Sequence, residues 1–339
     1  KRTNKAGPMA CFVWLRGSIM RKIFSFILTV LVVCLCISGC SPLTGNSGSG
    51  SAVKITDDNQ RIVTLKKVPE RIVVLSPSFL ELVEAVDGKV VGRAKTQVGK
   101  VPAFAKDAAE VGFIFNINVE KIVELKPDLV IAYKGMHERY LHTLESNNIP
   151  VVVLNLKSYE DVKHSMLTIG KIMRKDDKAQ KVVANLDKDI NATVSKLPKS
   201  ERSVAILHTT SMGITMEKET SIAGCCAKML KLRNVVQGET KPVSGPMGAQ
   251  PDKAPYSLED LLEKNPQVIF ITSMGAPRDS DGNPKLEIMS NPAWNSIDAV
   301  KNKQVFFLPD DLFLLNPGLE YPKAVRYMAA KMYPDAVKE

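Results

Sequence analysis

The histidines of this chain are its most obvious candidates for binding a metal or moving a proton. They are His137, His142, His164 and His208. A hydrolytic zinc site usually needs two histidines four residues apart on a helix, or a cluster of cysteines, and this chain has neither. Ser76 and Ser211 also lack the Gly-x-Ser-x-Gly turn that exposes the nucleophile of many hydrolases. The sequence therefore gives no positive support for an enzyme.

Cys40 is the cysteine whose surroundings indicate a chemical modification. The basic segment 20–22, the apolar run 23–37 and the small residues 38–39 form the three regions of a secretory signal. The apolar run is too short to predict a membrane-spanning helix. Residues 37–40 resemble a bacterial lipobox, so we expect diacylglycerol on the Cys40 thiol and firm anchoring by two or more acyl chains. An unlipidated signal peptide cleaved nearby is the alternative.

The signal segment also carries most of the net positive charge. Residues 1–39 contain six of the 46 Lys and Arg and no Asp or Glu, which leaves 40 basic against 36 acidic residues, a net charge of +4. That balance removes the main argument for a nucleic-acid partner. Residues 1–19 precede a better start at Met20 and are left out of the fold prediction. Residues 40–52, rich in Gly and Ser, are predicted to be the lipidated cysteine and its flexible tether.

A repeated segment indicates how the rest of the chain is organised. Residues 259–270 repeat the residue pattern of residues 120–131. In each copy an acidic residue opens a short amphipathic helix, a proline ends it, and a β-branched apolar run follows as a buried strand. The repeat predicts two equivalent α/β lobes.

Apolar runs separated by helical patterns predict a parallel sheet with right-handed crossovers in each lobe. The predicted strands are 71–75, 90–93, 128–132 and 151–156, then 203–207, 268–272 and 304–308. The serines after the first strand are expected to cap a helix over 79–86. Residues 222–232 and 319–332 are predicted to be helical, with Cys225 and Cys226 as small residues on a helix face rather than a strained vicinal disulfide.

A long helical stretch separates the two lobes. Residues 158–197 hold no proline, and their apolar positions are spaced for one helix face, so we expect one or two helices acting as a stiff strut. The predicted domains are an N-terminal lobe at 53–157, a linking helix at 158–198 and a C-terminal lobe with a final helix at 199–339.

Three local phrases, taken with this order of elements, resemble a known family. They are residues 69–77, residues 118–131 and residues 291–294. The chain is similar, over about 53–334, to the substrate-binding lipoproteins of ABC importers for iron-siderophores, haem and vitamin B12. The resemblance implies an α/β fold of two Rossmann-like lobes with central parallel sheets, joined by a long rigid helix, with the ligand in the cleft between them. It also implies small lobe motions.

The resemblance gives the repeated glutamates a role. In the family, one glutamate on each lobe docks onto arginine pockets of the two membrane subunits, and the matching positions are Glu120 and Glu259. Two separated bidentate contacts would fix the position of the cleft over the pore. The alternative is that each glutamate only favours a helix N-terminus. The expected partners are an ABC permease dimer with cytoplasmic ATPase subunits, and the protein is expected to be a monomer on the extracytoplasmic side.

Ligand contacts are expected at the carboxyl ends of the strands, which face the cleft in such sheets. The candidates are Ser76, Pro77, Tyr133 and Met136 in the first lobe and His208, Thr209, Met212, Ser273 and Met274 in the second. Tyr133 and one of Phe113 or Phe115 occupy positions where family members present aromatic rings. Such walls suit a large planar or greasy chelate, although large apolar residues are also common in cores.

The cargo is left open between several metal chelates. His137 could ligate haem iron, and a surface loop histidine is the alternative. The basic residues near the cleft, Arg93, Lys95, Lys134 and Arg278, are scattered, which does not favour a triply anionic catecholate complex. Hydroxamate complexes, haem and cobalamin therefore remain candidates, and no intrinsic cofactor is expected.

The predicted function is capture of an iron complex, a ferric siderophore or haem, and its delivery to a permease without chemical change. A cobalamin-binding protein of the same family is the main alternative. A receptor for bare zinc or manganese would need more imidazoles at strand ends, and an extracytoplasmic metal-dependent enzyme lacks a motif. A lipoprotein that only senses its ligand also remains possible from the sequence.

Overall fold

The computed structural model describes most of the chain beyond the tether. The described residues are 52–96, 101–199, 201–238, 240, 243–245, 248–275, 280, 284 and 286–338. Cys40 and Arg278 lie outside them. Among the described helices, none is both long and apolar enough to cross a membrane.

The first lobe is built on a six-stranded sheet that follows a short hairpin. The hairpin is β1 (Val53–Thr56) and β2 (Ile62–Leu65), and the sheet strands are β3 (Ile72–Val74), β4 (Val90–Lys95), β5 (Ala109–Phe113), β6 (Asn116–Ile117), β7 (Leu129–Tyr133) and β8 (Val151–Leu154). Their order is β6-β5-β4-β3-β7-β8, and all neighbours are parallel except β5 and β6. The central strands are apolar on both faces because helices cover both sides of the sheet. The four strands predicted in this lobe are confirmed.

Short helices connect these strands. They are α1 (Leu80–Glu84), which continues a 3-10 turn at Pro77–Phe79, then α2 (Val119–Glu124) and α3 (Glu138–Ser146). The predicted serine cap is wrong: Ser76 occupies the N-cap position of the 3-10 turn, but its side chain makes no capping hydrogen bond. The proline at the first position of that turn has no N–H to satisfy, which lowers the need for a cap.

The strut between the lobes is two helices rather than one. These are α4 (Tyr159–Ile172) and α5 (Asp176–Val194), separated at Arg174, whose φ is 54°. Ser158 and Asp161 form a reciprocal capping box at the start of α4. The helices pack closely at Gly170, where a Cβ atom would lie 2.4 Å from that of Ala179. The helical prediction for 158–197 is confirmed, with a turn at its middle.

The second lobe has a mixed sheet. Its strands are β9 (Ser203–Thr210), β10 (Gly213–Glu217), β11 (Arg233–Asn234), β14 (Lys253–Pro255), β15 (Val268–Met274) and β16 (Val305–Phe307), with a separate hairpin of β12 (Val243–Gly245) and β13 (Gly248–Gln250). The order is β14-β10-β9-β15-β16, with β11 parallel to the start of β9. The predicted strands β9, β15 and β16 are parallel, whereas β10 and β14, which the sequence did not reveal, are antiparallel to their neighbours, with β14 at the edge of the sheet.

The helices of the second lobe cover both faces of this sheet. They are α6 (Ile222–Met229), α7 (Leu258–Lys264), α8 (Asp298–Lys301), α9 (Asp310–Phe313) and α10 (Tyr321–Met332). Cys225 and Cys226 lie in α6 as free thiols, as predicted. Burial raises the pKa of both thiols.

One hydrophobic cluster continues through both lobes. It contains residues of β3, β7 and β8, the strut helices α4 and α5, the strands β9 and β15, and α10. Two further clusters fill the other face of each sheet. The strut is therefore part of a shared core, which ties the two lobes together more firmly than an exposed linker could.

Candidate functional site

Two phenylalanines are exposed at the turn between β5 and β6 in the first lobe. The side chains of Phe113 and Phe115 are 40% and 45% exposed. Lys95, at the end of the neighbouring β4, places its Nζ 5.5 Å from the centre of the Phe113 ring. The turn presents an aromatic surface with one cation beside it.

The start of α3 holds this turn in place. His137 Nε2 lies 2.8 Å from the carbonyl oxygen of Ile114, and Arg139 donates to the carbonyl of Phe115 at 2.5 Å. The Tyr140 hydroxyl accepts from the backbone N–H of Ile117 at 3.1 Å. The aromatic surface is thus fixed by three polar side chains from one helical turn.

His137 differs from both of its sequence interpretations. It is 1% exposed, so the surface-loop interpretation is wrong. Its Nδ1 accepts from the N–H of Tyr133 at 2.9 Å while Nε2 donates to Ile114, so neither nitrogen is left for iron. Burial lowers the pKa of His137, which keeps the ring neutral. These contacts contradict the haem-ligand interpretation and make His137 a positioning residue.

The other predicted contacts of the first lobe are less exposed. Tyr133, Pro77 and Met136 are half-buried, and Ser76 is 2% exposed. The Tyr133 ring stands edge-on to Phe79 at 6.0 Å. Burial raises the pKa of Tyr133, and the carboxylates of Asp161 and Asp252 raise it further.

Lys157 marks where the two lobes meet. It lies at the end of the first lobe, and its Nζ is 3.7 Å from Oδ1 of Asp252 in the second lobe. The Tyr321 hydroxyl of α10 donates to the carbonyl of Lys157 at 3.3 Å. The segment after β8 therefore lies at the junction with the second lobe.

In the second lobe, three predicted residues line one cavity. His208, Met212 and Met274 contribute to a cavity of about 310 Å³ beside the β9–β10 turn. Met212 is 70% exposed and Met274 is 42% exposed, whereas His208 is buried. The strand ends thus bring two thioethers and one imidazole together at one cavity, and their contact with a ligand stays a prediction.

A larger cavity of about 770 Å³ lies on the other side of the same turn. The predicted Thr209 lines it, together with residues the sequence did not single out: Thr210, Ser211, Gly213, Ile214, Tyr256, Leu258, Gly275, Leu286, Glu287, Ile288 and Asn291. The Tyr256 hydroxyl is buried without a hydrogen-bond partner among the described residues. Ser273, also predicted, is 3% exposed, and its hydroxyl has no partner among them either.

His208 belongs to a buried network of hydrogen bonds and ion pairs. Its Nδ1 lies 2.8 Å from Thr272 Oγ1, which lies 2.5 Å from Glu217 Oε1. Lys253 Nζ is 3.5 Å from the same carboxylate. Burial alone would raise the pKa of Glu217, but Lys253, His208 and a hydrogen bond from Ser221 lower it to about 2. The sequence did not reveal this network, because its members come from four strands.

The basic residues proposed near the cleft are engaged elsewhere. Arg93 is buried and pairs with Glu110 at 3.2 Å, and Lys95 lies 3.8 Å from the same carboxylate. Lys134 donates to the backbone carbonyl of Asp58 at 2.7 Å. Arg93, Lys95 and Lys134 therefore do not form a cluster of unpaired cations for a highly anionic ligand.

Glu120 and Glu259 occupy equivalent places in the two lobes. Each is the second residue of its helix, α2 or α7, after an N-cap, Asn118 or Ser257, whose side chain accepts a backbone N–H. Both glutamates are exposed, and neither forms an ion pair within the described residues. After each helix, the residue directly before the repeated proline has a left-handed backbone conformation, with φ 47° at Lys126 and 37° at Asn265.

Comparisons with known proteins give a consistent result. The profile of the family described as periplasmic binding protein matches residues 72–312. The Fe(3+)-citrate-binding protein YfmC of Bacillus subtilis (strain 168) is 29% identical over 310 residues, which cover 88% of this chain and 93% of that protein. The sequence similarity thus extends over both lobes.

Solved structures share the fold. An ABC transporter substrate-binding protein from Listeria monocytogenes EGD-e aligns with a TM-score of 0.69 at 24% identity, over 79% of this chain and all of that chain. S. aureus IsdE complexed with heme aligns with a TM-score of 0.66 at 21% identity, over 78% of this chain and 98% of that chain. The two-lobe arrangement predicted from the repeat is confirmed.

Proposed function

The chain belongs to the periplasmic binding protein family, and we propose that it is the substrate-binding lipoprotein of an ABC importer that captures an iron complex. One observation carries this proposal. Of the six large hydrophobic side chains that are strongly exposed among the described residues, four lie at or just beyond the carboxyl ends of sheet strands, two in each lobe: Phe113, Phe115, Met212 and Met274. Exposed apolar groups at these positions are typical of a binding surface.

The chemistry of this surface favours a bulky chelate over a bare ion. Aromatic rings and thioethers cover a large greasy ligand, and the described residues include no group of three metal-ligating side chains of the His, Cys, Asp and Glu types. The paired state of Arg93 and Lys95 argues against a highly charged catecholate complex. A ferric complex of low charge or haem fits this surface best, and the relative named for Fe(3+)-citrate supports an iron complex as the general class of cargo. The protein binds and releases this cargo without changing it.

Delivery requires docking to a permease, and the repeated glutamates are suited to it. Glu120 and Glu259 present unpaired carboxylates at matched helix starts, one on each lobe. A carboxylate accepts both N–H groups of an arginine side chain, so two such contacts define the orientation of the cleft. An exposed ion pair contributes only about 0–1 kcal/mol to the binding free energy, so the main effect of these contacts is to align the cleft with the permease. The partners are a permease dimer with cytoplasmic ATPase subunits.

Attachment to the membrane is assigned to Cys40. A diacylglycerol on its thiol would hold a monomeric receptor at the extracytoplasmic face of the membrane. The tether 41–52 would let the two lobes reach the permease.

A binding panel tests the cargo proposal. The full chain in detergent micelles is titrated with ferric citrate, haemin, a hexadentate ferric trihydroxamate and aquacobalamin, following quenching of tryptophan fluorescence and the visible absorption of each chelate. We expect an iron complex to bind more tightly than aquacobalamin. Tighter binding of aquacobalamin would indicate that the cargo is a corrinoid, and failure to bind any chelate would refute the proposed function.

A further inference from the structure

The amino ends of the strands in the second lobe carry a row of basic side chains. Parallel pairing sets the starts of β11, β9, β15 and β16 side by side, with Arg233 at one end of the row and Lys303 at the other. Neighbouring strands lie about 4.8 Å apart, so three strand spacings separate these two cations by roughly 14 Å. Arg202, directly before β9, stands between them. We call this surface the basic edge of the second lobe.

The basic edge holds an excess of positive charge equal to that of the whole mature chain. Six basic and two acidic residues stand at these strand starts and after α10, in the segments 199–202, 231–233, 265–267, 302–304 and 333–338. The net charge of these segments is therefore +4, and the mature chain as a whole also has a net charge of +4. The remainder of the mature chain is neutral on balance, so the positive charge is concentrated at one edge.

Most of the cations at this edge have no acidic partner. Lys199, Lys231, Arg233, Lys303 and Lys338 are exposed, and none of them forms an ion pair within the part of the chain that the structure describes. The acidic residues of the same segments, Glu201 and Asp335, are exposed as well. Two further lysines at the ends of the neighbouring helices are paired instead, Lys264 with Asp260 at 3.0 Å and Lys301 with Asp298 at 3.7 Å.

Arg202 ties the end of α10 to this edge. Its guanidinium donates to the carbonyl of Met332 at 3.1 Å and to Gln304 Oε1 at 3.4 Å. A cavity of about 490 Å³ lies beside Gln304, where Lys338 stands next to the apolar side chains of Phe306 and Val337. A cation beside apolar side chains suits a ligand that has an anionic head on an apolar stem.

Neither the cargo surface nor the proposed docking glutamates use the basic edge. α7 carries Glu259 in its first turn and ends at Lys264, just before β15 begins. Met212 and Met274 lie at the carboxyl ends of β9 and β15, whereas the basic edge lies at the amino ends of the same strands. The basic edge therefore faces away from the proposed cargo and permease contacts of this lobe.

We propose that the basic edge binds anionic phospholipid headgroups and holds the undocked receptor against the membrane surface. This inference rests on the proposed function, because attachment through Cys40 selects the partner. The twelve residues 41–52 span at most about 40 Å, so the attached lobes stay near the headgroups at a high effective concentration. Weak contacts are then sufficient. Docking through Glu259 presents the other end of the strands, so the lobe must leave the lipid to reach the permease.

The experiment uses residues 52–339 without the acyl anchor, because residues 51–339 form one compact unit. Binding is measured by co-sedimentation with vesicles of equimolar phosphatidylglycerol and phosphatidylcholine, and with vesicles of phosphatidylcholine alone. The test variant is the triple change Lys231→Gln, Arg233→Gln and Lys303→Gln. The matched control is Lys106→Gln, Lys171→Gln and Lys181→Gln, which removes the same charge from exposed lysines that also lack an ion pair among the described residues. Thermal unfolding of each variant controls for folding.

We expect the wild type to bind the phosphatidylglycerol vesicles and not the neutral ones. The test variant should bind on the order of 100-fold more weakly, at about fivefold for each cation removed from an anionic surface. The control should bind nearly as well as the wild type, since charges more than about 10 Å from the lipid are screened at 0.1 M salt. Equal losses in the two triple variants, or equal binding of the wild type to both kinds of vesicle, would overturn the inference.

Two further measurements separate this inference from its alternatives. Binding of inorganic polyphosphate without binding of phosphatidylglycerol vesicles would overturn the lipid partner in favour of a phosphate polymer. Ferric citrate and haemin are titrated into the same preparations. If an iron chelate binds and the vesicles do not, the lipid contact is refuted and the proposed cargo stands. If the vesicles bind and no chelate does, the basic edge is supported and the proposed cargo is refuted.

Discussion

His137 Nε2 lies 2.8 Å from the carbonyl oxygen of Ile114, the residue between the two exposed phenylalanines. Through Nδ1, which accepts from the N–H of Tyr133, the same ring is also tied to the end of β7. One buried imidazole thus connects the aromatic turn to the neighbouring strand end. The shape of the proposed ligand surface in the first lobe therefore depends on a buried residue outside that surface.

This contact predicts a pH dependence. Burial lowers the pKa of His137, so the folded protein favours the neutral ring, and the stability this provides is complete above the ordinary pKa of 6.5. It is lost as the pH falls below 6.5 towards the lowered pKa. We expect the free energy of unfolding to fall between pH 7.5 and pH 5 by more in the wild type than in His137→Gln, measured by urea denaturation.

A second measurement tests whether the effect is confined to the turn that His137 contacts. The protection of the backbone amides at 113–117 from hydrogen exchange, taken relative to the intrinsic rate at each pH, should fall in the wild type on the same descent in pH, whereas the protection of α10 should not change. At pH 7.5, His137→Gln should be less stable by about 1–3 kcal/mol, since a buried group loses a partner. If the free energy of unfolding fell equally with pH in the wild type and in His137→Gln, protonation of His137 would not be the cause of the pH dependence.

The sequence predicted the elements whose signals are local. In both copies of the repeat, a capping side chain, an acidic first turn and a terminal proline stand within twelve residues, and the structure shows a helix and a buried strand in each. His137 was misplaced because its burial depends on Ile114, 23 residues earlier in the chain. No periodicity marks such a contact.

The same limit applies to the second lobe. The strands β10 and β14 are short, and neither has the continuous apolar run that marked β9 and β15. Without β10, nothing in the sequence placed Glu217 beside His208, so the charged network could not be foreseen. The shared position of Met212 and Met274 could be predicted, because each lies at or just beyond the carboxyl end of a strand in one parallel pair.

The exposed apolar side chains should contribute directly to cargo affinity. Replacing Phe115 or Met212 with Ser removes apolar area that a bulky chelate would cover, and we expect each change to weaken binding roughly tenfold. Fluorescence titration of the variants measures the effect. Ile62→Ser and Leu167→Ser are matched controls, since both side chains are exposed, at 73% and 40%, and neither lies at the carboxyl end of a strand. Equal losses in the controls would show that the effect is not local to the site.

Glu217 should stabilise the second lobe in a pH-dependent way. Its pKa is lowered from 4.5 to about 2, so its contribution is complete above pH 4.5 and is lost as the pH falls towards 2. A change of this size corresponds to about 3 kcal/mol. We expect Glu217→Gln to be less stable than the wild type by about that amount at pH 7, with the gap narrowing between pH 4.5 and pH 2.5 in urea denaturation.

Glu219→Gln is the matched control for Glu217. Glu219 pairs with Lys228 at 3.1 Å, but both side chains are exposed, and a surface pair contributes about 0–1 kcal/mol. Its loss should therefore change stability little at any pH. A gap between the wild type and Glu217→Gln that stays constant down to pH 2.5 would contradict the ionised state of the buried carboxylate.

The repeated glutamates should matter for transport and not for binding. We expect the double change Glu120→Ala and Glu259→Ala to abolish uptake of the iron complex in cells that depend on this protein, since both arginine contacts to the permease are lost together. Each carboxylate is exposed at the second position of its helix and supports no ion pair among the described residues, so the fold and the cargo affinity should be retained. Radiolabelled iron uptake and fluorescence titration measure the two properties separately.

The chain provides a matched control for this double change. Glu124 and Glu263 stand on the same two helices and are also exposed, but each lies in the last turn rather than the first. If docking depends on the position of the carboxylate, Glu124→Ala with Glu263→Ala should transport normally although the loss of charge is identical. Equal defects in uptake in both double variants would mean that the permease recognises only the net negative charge of these two helices. Normal uptake in the Glu120 and Glu259 double variant would refute their assignment, because no other pair of exposed carboxylates is related by the repeat at helix starts on both described lobes.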